Sequence, residues 1–355
     1  MADGKKKYYD ELNIFRSLII IWVVIGHSFD TGSDFLGLLH TYAYTFHMKA
    51  FILLSGLLFA KKIKALVSYK DGAKLIGDRF LRLMVPYFFY TAVSIVLKLF
   101  LDDYANNKLS LKVVIDSLVG VSNPNGGIWF LYALFVLNVF AVLIYKLPAL
   151  LGLILTFALH IVHIKTGVFS SIPLVTHITF YGVFFYGGMV IADYYDSISL
   201  SMNEFFKKSP VISGAASLLY LPVAFIISLI SVKALKSSSV LTLLIPVLNI
   251  TVYYCLSVFI NSIAKLKKPF VTVGDYGMDI YLIGYYVQIT LRVLLKSMLG
   301  LPYVVYSLAM CICGLLVPIP ISKYFVRKFR ITRILALGDY KKRTPKEEEQ
   351  DVKKA

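Results

Sequence analysis

Ten separate runs of apolar residues constrain the fold of this chain more than any motif does. A helix needs about 20 consecutive apolar residues to cross the hydrocarbon core of a bilayer, and no strand-like alternation typical of a membrane barrel accompanies these runs. The runs fall at 12–30, 42–60, 83–101, 128–145, 148–164, 174–192, 211–231, 240–262, 277–296 and 302–325. We therefore predict an all-α, polytopic transmembrane helical bundle of about ten spans.

The composition agrees with a membrane protein. Of the 355 residues, 58% are hydrophobic and only 16% are charged, whereas a soluble domain carries about 25% charged residues. We predict one transmembrane domain over residues 1–338. The remaining residues, 339–355, are predicted to form a charged cytoplasmic tail, and their composition is typical of disorder.

The net charge of +17 could indicate nucleic-acid binding, but its distribution favours another explanation. Basic residues cluster before the first run, between the second and third, after the sixth and eighth, and in the tail, whereas the alternate loops carry few. This is the positive-inside pattern. It predicts that both termini are cytoplasmic, that the 102–127 loop is external, and that the protein is a multi-pass protein of the plasma (cytoplasmic) membrane that binds no nucleic acid.

The cysteines and the N-terminus exclude two further classes of protein. Cys255, Cys311 and Cys313 all lie in predicted spans, and their spacing indicates neither a disulfide nor a zinc site. We predict no metal. The N-terminus starts with basic residues, but a long apolar run without a small-x-small cleavage site follows, so it does not resemble a cleaved signal peptide.

Ionisable residues inside the first run are the most informative polar feature. Such groups are costly in a membrane and usually functional. Arg16 and His27 are eleven residues apart, which places them on the same helix face and about 16 Å apart along the axis. Asn13 and Asp30 are predicted to extend this face by one turn in each direction.

His27 and Asp30 together suggest acid–base chemistry. A carboxylate one turn away can fix the tautomer of an imidazole and raise its basicity, and such a pair can deprotonate a hydroxyl. The alternative for His27 is an interfacial histidine hydrated near the headgroups. His47 shares a face with His40 in the second run and is predicted at a similar depth to His27, while Lys49 either lines a pore or extends its amine outward.

Arg79 and Arg82 precede the third span as i, i+3 neighbours on the predicted cytoplasmic side. Guanidinium groups bind phosphate oxygens through bidentate contacts, so these residues could hold an anionic ligand. Ordinary positive-inside flanking explains them equally simply.

On the predicted outer side, Trp129 follows a glycine-rich loop and either belongs to the aromatic belt of the membrane or stacks on a sugar ring.

The ordered set of these stretches resembles the acyltransferase-3 family of integral membrane acyltransferases, especially its fucose O-acetylase-like branch. The matching residues are Leu12-Asn13-Ile14-Phe15-Arg16, Val23-Val24-Ile25-Gly26-His27-Ser28, Phe46-His47-Met48 with Ser55-Gly56, Arg79-x-x-Arg82 with Val85-Pro86-Tyr87, Trp129-Phe130-Leu131 and, more weakly, 274–282.

The resemblance implies transfer of an acyl group, usually acetyl, from cytoplasmic acyl-CoA to a hydroxyl of an extracytoplasmic glycan. The family's histidine corresponds to His27, its N-terminal arginine to Arg16, and its Arg-x-x-Arg to Arg79 and Arg82. Three positions depart from the family pattern: Asn13 replaces an aspartate, Lys49 replaces a proline after the His-Met pair, and the late Ile-Tyr-Leu run lacks the histidine that often follows it. We therefore assign the late segment no catalytic role.

Our hypothesis is an O-acyltransferase, most simply an O-acetyltransferase that modifies a cell-surface polysaccharide with acetyl-CoA as donor. His27 and Asp30 would be catalytic, Arg16, Arg79 and Arg82 would bind the donor, and His47 and Trp129 would bind the substrate. The alternative hypotheses are a flippase or transporter of lipid-linked glycans without acyl-transfer activity, and a glycan polymerase.

Overall fold

The structure is a computed structural model that describes residues 9–32, 34–100, 110–235 and 238–340, without the side chains of residues 210, 211 and 235. The chain beyond residue 340, which contains most of the predicted tail, lies outside the described residues.

Helices account for nearly all of the described chain, in which no strand occurs. They are α1 (Asp10–Ser28), α2 (Phe35–Lys64), α3 (Tyr69–Phe100), α4 (Leu111–Leu118), α5 (Trp129–Leu143), α6 (Ala149–Thr166), α7 (Pro173–Lys208), α8 (Pro210–Leu235), α9 (Leu241–Ser262), α10 (Ala264–Asp275), α11 (Gly277–Leu291), α12 (Tyr303–Leu316), α13 (Pro318–Ile321) and α14 (Arg330–Leu337). Two π-helical segments, Arg292–Met298 and Ser322–Val326, extend α11 and α13.

The predicted helical bundle is confirmed. Nine helical stretches in the described part of the chain are long and apolar enough to cross a membrane, and α5 is a tenth, shorter apolar helix. Each of the ten predicted runs corresponds to one of these stretches. Several helices are longer than predicted, because polar turns continue them beyond the apolar run; α7 extends 36 residues, to Lys208.

The helices belong to two compact units. The first unit comprises the described residues of Met1–Leu58, Ile164–Thr166 and Phe184–Gly277. Its core surrounds α1, which packs against α9 and α10. Trp22 of α1 meets the rings of Tyr42, Phe46 and Tyr253 edge-on, at centroid distances of 4.8 to 6.1 Å.

Glycines let helices of the first unit approach closely. A Cβ atom at Gly56 would lie 1.9 Å from the carbonyl oxygen of Phe185, and one at Gly188 would lie 2.0 Å from that of Leu53. The backbones of α2 and α7 are therefore in direct contact. Gly56 and Gly188 thus serve close helix packing.

The second unit comprises the described residues of Phe59–His163, Gly167–Val183 and Met278–Ala355. In it, α3 packs along α5 and against the C-terminal helix α14. A buried ion pair lies in the same unit: Arg327 donates to Asp279 through Nε at 3.1 Å and Nη2 at 2.6 Å, and Ser322 also donates to this fully buried carboxylate.

Candidate functional site

Arg16 lies in a closely packed junction between α1 and α10. Its guanidinium donates to the Asn13 side-chain oxygen at 3.2 Å and to the Gly274 carbonyl at 3.5 Å. The Asn13 amide in turn donates to Asp275 at 2.8 Å and to the Val271 carbonyl at 3.0 Å. A Cβ at position 274 would lie 2.2 Å from the Asn13 carbonyl oxygen, so this glycine allows the two helices to touch.

The other end of α1 carries His27. The helix ends at Ser28, and the extended Phe29 donates its N–H to the Ile25 carbonyl. Asp30 therefore lies beyond the helix and is exposed. The prediction that Asp30 continues the Arg16–His27 helix face is wrong, because the geometry of i, i+3 neighbours ends with the helix. The catalytic role assigned to Asp30 stays a prediction.

Three histidines of the first unit surround the ring of Tyr44. The centroid distances to Tyr44 are 4.5 Å for His40, 5.0 Å for His47 and 6.4 Å for His27. Gly26 allows this approach, since a Cβ there would lie 3.2 Å from the Tyr44 ring. Tyr44 itself is 47% exposed. The predicted common face of His40 and His47, and the similar depth of His47 and His27, agree with this cluster.

Backbone carbonyls fix the tautomers of two of these imidazoles. His47 donates from Nδ1 to the Ala43 carbonyl, and His40 from Nδ1 to the Phe29 carbonyl at 2.7 Å. A carbonyl oxygen can only accept, so Nδ1 carries the proton and Nε2 of the neutral ring is the basic atom. The amine of Lys49 donates to the Thr45 carbonyl at 2.9 Å, which leaves both interpretations of Lys49 open.

Arg79 and Arg82 lie on α3 in the second unit, and they differ in their contacts. The Arg82 guanidinium donates to the Leu337 carbonyl at 2.9 Å. The Arg79 guanidinium lies over the Phe59 ring, 4.7 Å from its centroid, and its buried Nε has no hydrogen-bond partner. A buried donor without a partner is costly, and a bound anion would satisfy it.

The segment that follows α14 packs directly on this arginine pair. Gly338 has a left-handed backbone with φ +61°, and a Cβ there would lie 2.5 Å from the Leu81 and Arg82 carbonyl oxygens. Only glycine fits both the conformation and the space. Burial, and then a hydrogen bond to Asp78, raise the pKa of Tyr340 to about 12, so its hydroxyl keeps its proton at neutral pH.

Trp129 begins α5 and borders a cavity of about 220 Å³ in the second unit. The cavity is lined by Tyr87, Gly120, Val121, Ser122, Asn123, Asn125, Gly126, Trp129 and Tyr132. One lining residue, Tyr87, follows Arg82 by five residues on α3, which is an axial rise of about 7.5 Å. The arginine pair and the cavity therefore share one helix.

The predicted site residues thus fall into two groups. His27 and His47 meet around Tyr44 in the first unit, which also contains Arg16 and Asp30; Arg79, Arg82 and Trp129 belong to the second unit. In the described part of the chain, no group of three or more His, Cys, Asp or Glu side chains could hold a metal ion.

A family model described as "Acyltransferase domain", that of the acyltransferase-3 family, matches residues 9–323. The chain belongs to the acyltransferase-3 family. No curated protein and no solved structure matches it. As a member of this family with many apolar helices, the protein is a multi-pass membrane acyltransferase, and its site residues can be considered as parts of one acyl-transfer enzyme.

Sequence reasoning about this acyltransferase missed three groups of contacts. Tyr44 was not singled out, because nothing local shows that three imidazoles meet at its ring. Leu337 contributes a backbone carbonyl, which no side-chain pattern reveals. The late segment was assigned no catalytic role, and its contacts are those of packing: Gly274 and Asp275 meet Asn13, and Asp279 pairs with Arg327.

Proposed function

We propose that this acyltransferase moves an acetyl group from cytoplasmic acetyl-CoA to a hydroxyl of an extracytoplasmic glycan or cell-surface polysaccharide, as a plasma-membrane enzyme of the fucose O-acetylase-like branch. One observation carries the proposal. The single helix α1 presents a cation, Arg16, and a titratable base, His27, on one face about 16 Å apart. That separation is on the scale of the pantetheine arm of CoA.

The chemistry requires one base and one leaving group. In this proposal His27 removes the proton of the acceptor hydroxyl, and the hydroxyl oxygen attacks the thioester carbonyl carbon. The C–S bond breaks as the tetrahedral intermediate collapses, and the imidazolium returns the proton to the departing CoA thiolate. The new C–O bond is the ester on the glycan, so protons and electrons balance without a metal or a redox partner.

The donor is assigned to the arginines. The phosphates of CoA are anionic, and Arg79 and Arg82 offer guanidinium groups on the predicted cytoplasmic side. The unpaired Nε of Arg79 supports this assignment. Arg16 is assigned to placing the donor arm, although the structure already engages it with Asn13 and Gly274.

The acceptor is assigned to the predicted outer side. His47 shares the Tyr44 ring with His27, so it would contact a hydroxyl that His27 deprotonates. Trp129, in the second unit, offers an aromatic face for a sugar ring. Asp30, exposed beyond α1, is assigned to orienting the His27 imidazole.

Two measurements test the activity. Protein purified into lipid nanodiscs should bind CoA and hydrolyse acetyl-CoA slowly without an acceptor, and cells lacking the gene should lose acetyl esters from a surface glycan. Neither a flippase nor a polymerase predicts these results. The proposal is wrong if folded protein does not bind CoA and cells lacking the gene keep normal glycan acetylation.

The direction of transfer rests on the predicted topology. A cysteine introduced at Asn106, a position outside the described residues, should react with an impermeant thiol reagent in intact cells. The three native cysteines would first be replaced by serine. Reaction only after lysis would reverse the assignment of the two sides.

A further inference from the structure

The segment between α4 and α5 lies alongside the middle of α3. The Tyr87 hydroxyl donates to the Ser117 carbonyl at 2.7 Å, and the Asn123 amide donates to the Thr91 hydroxyl at 2.8 Å. Thr91 precedes Phe100, the last residue of α3, by nine residues, or about 13 Å of helix rise. The segment therefore lies well short of the end of α3, beside the apolar stretch that is predicted to cross the membrane.

The short α5 accompanies this arrangement. Its 15 residues extend only about 22 Å, less than the hydrocarbon core of about 30 Å. The non-helical segment 119–128 precedes α5 and lies against α3. Non-helical backbone at membrane depth is tolerated only where it is buried in protein or lines a water-filled cavity.

The asparagines of the segment hold it in place. The Asn123 side-chain oxygen accepts the Asn125 N–H at 2.8 Å, and the Asn125 oxygen accepts the Gly127 N–H at 2.9 Å. The Asn125 amide donates to the Tyr286 hydroxyl at 3.1 Å. These hydrogen bonds pair the polar groups of the segment with each other and with Tyr286. The two asparagines are therefore fixed in place where they line the cavity.

Aromatic side chains form the rest of the cavity. The Trp129 indole stacks with Tyr181, at 5.4 Å and 30° between planes, and with His177, at 5.9 Å and 16°. Tyr87 and Tyr132, which also line the cavity, pack together at 5.9 Å. The stacked rings hold the indole in place.

One polar atom of the lining and one next to it lack partners. The Ser122 hydroxyl, on the lining, and Nδ1 of His177, which stacks with Trp129, are buried without a hydrogen bond. Buried polar groups are normally paired, and exceptions need an explanation. A ligand with several hydroxyl groups would supply partners where the protein supplies none.

We infer that this cavity holds one sugar ring of the acceptor glycan, with the ring face on Trp129 and a sugar hydroxyl bonded to Ser122. The inference rests on the proposed function and assigns it an acceptor subsite. None of the nine lining residues is charged, which disfavours the phosphates of CoA. The volume of about 220 Å³ is below the ~300–1,000 Å³ of pockets for drug-sized ligands, so it suits one ring.

Tryptophan fluorescence tests this inference directly, because the chain contains only two tryptophans. In a Trp22→Phe background, Trp129 is the sole indole. Methyl glycosides of hexoses, 6-deoxyhexoses and N-acetylhexosamines are titrated into the nanodisc-embedded protein. At least one should change the emission saturably. Ser122→Ala should weaken that response about two- to tenfold, the loss of one hydrogen bond.

Ser307→Ala is the matched control. Ser307 belongs to the same unit, and its hydroxyl is also buried without a partner, but it does not line the cavity. It should leave the sugar response unchanged. An equal loss in both variants, or no saturable response to any glycoside, overturns the inference.

The inference and the proposed function can fail separately. If the protein binds CoA and hydrolyses acetyl-CoA but shows no sugar response, the acyltransfer proposal stands and the sugar subsite is wrong. If it shows the Ser122-dependent sugar response but neither binds nor hydrolyses acetyl-CoA, the subsite stands and the acetyl-CoA proposal is wrong. An emission change caused by CoA, abolished by Ser122→Ala, would assign the cavity to the donor and overturn the inference.

Discussion

The six histidines of the chain divide equally between the two units, and the two sets differ in their surroundings. In the first unit, His27, His40 and His47 surround the half-exposed ring of Tyr44. In the second, His160 donates from Nδ1 to the Phe180 carbonyl at 3.0 Å, and His163 bonds the Thr179 hydroxyl at 3.0 Å.

Two histidines of the second set, His160 and His163, join one helix to another. His160 and His163 belong to α6, and both of their partners belong to α7, so each bond fastens the two helices. In the first unit, the bonds of His40 and His47 go to backbone atoms of α1's end and of α2 itself. The bonded atom is Nδ1 in both sets, so the comparison concerns which element each imidazole is bonded to.

The largest expected effect is that of His27→Ala. If His27 is the base, the variant should lose about 10²–10⁴-fold in kcat while expression and CoA affinity are retained, because the imidazole acts on the acceptor. Acetyl transfer to the glycan, measured per folded molecule, checks this.

His163→Ala is the matched control from the other unit. It removes one hydrogen bond worth about 1 kcal/mol and should change stability rather than kcat. If His27→Ala retains wild-type acetylation while His47→Ala is inactive, the base lies on α2. If His163→Ala is as inactive as His27→Ala, the contrast between the two sets is wrong.

The second largest expected effect is the loss of stability in Asp279→Asn, which tests whether polar groups of the second unit serve packing. Asp279→Asn leaves Arg327 without its buried carboxylate, and breaking such a pair costs about 3–5 kcal/mol. We expect a lower unfolding temperature with little change in KM of the molecules that stay folded. The double variant Asp279→Asn/Arg327→Met should recover part of the stability. A purely kinetic defect at normal stability would instead assign Asp279 to the chemistry.

The third effect concerns donor binding. Arg79→Gln or Arg82→Gln should each weaken CoA binding about ten- to a hundredfold, since a hydrogen bond to a charged group is worth about 1.5–3 kcal/mol. Calorimetric titration with CoA measures it. Arg330→Gln removes the same charge from an exposed position on α14 and should have little effect. Unchanged CoA affinity in a folded double variant would mean that Arg79 and Arg82 only mark the cytoplasmic side of α3 and do not bind the donor.

The smallest expected effect is that of Asp30→Asn. Asp30 is exposed, and exposed ion pairs contribute about 0.2–1 kcal/mol. The variant should therefore lose at most about fivefold in kcat. A loss as large as that of His27→Ala would mean that Asp30 takes a direct part in the proton transfer.

Hydropathy predicted the helices well because span length is a local property. The α6 run at 148–164 became Ala149–Thr166, and its apolar residues alone determine that result. Partners distant in sequence could not be predicted in the same way. Nothing near Asn13 indicates that Val271 and Asp275 accept its amide protons, and nothing near Asp279 points to Arg327.

The candidate site shows the same limit. The spacing of Arg16 and His27 on α1 could be calculated, because both belong to one helix. The end of that helix at Ser28 could not be predicted, because the sequence gives no signal that the helical spacing stops before Phe29 and Asp30. The positive-inside pattern predicts that the 102–127 loop is external, but it could not indicate that Tyr87 and Thr91 bond to the described part of this loop.

The contact between Arg82 and Leu337 has a consequence for biogenesis. The two residues are 255 positions apart, so at about 5–20 residues per second the ribosome needs roughly 13–50 seconds to reach the second after the first. Before Leu337 is synthesised, the Arg82 guanidinium lacks the carbonyl oxygen to which it later donates. The proposed donor site is therefore complete only after α14 has been made.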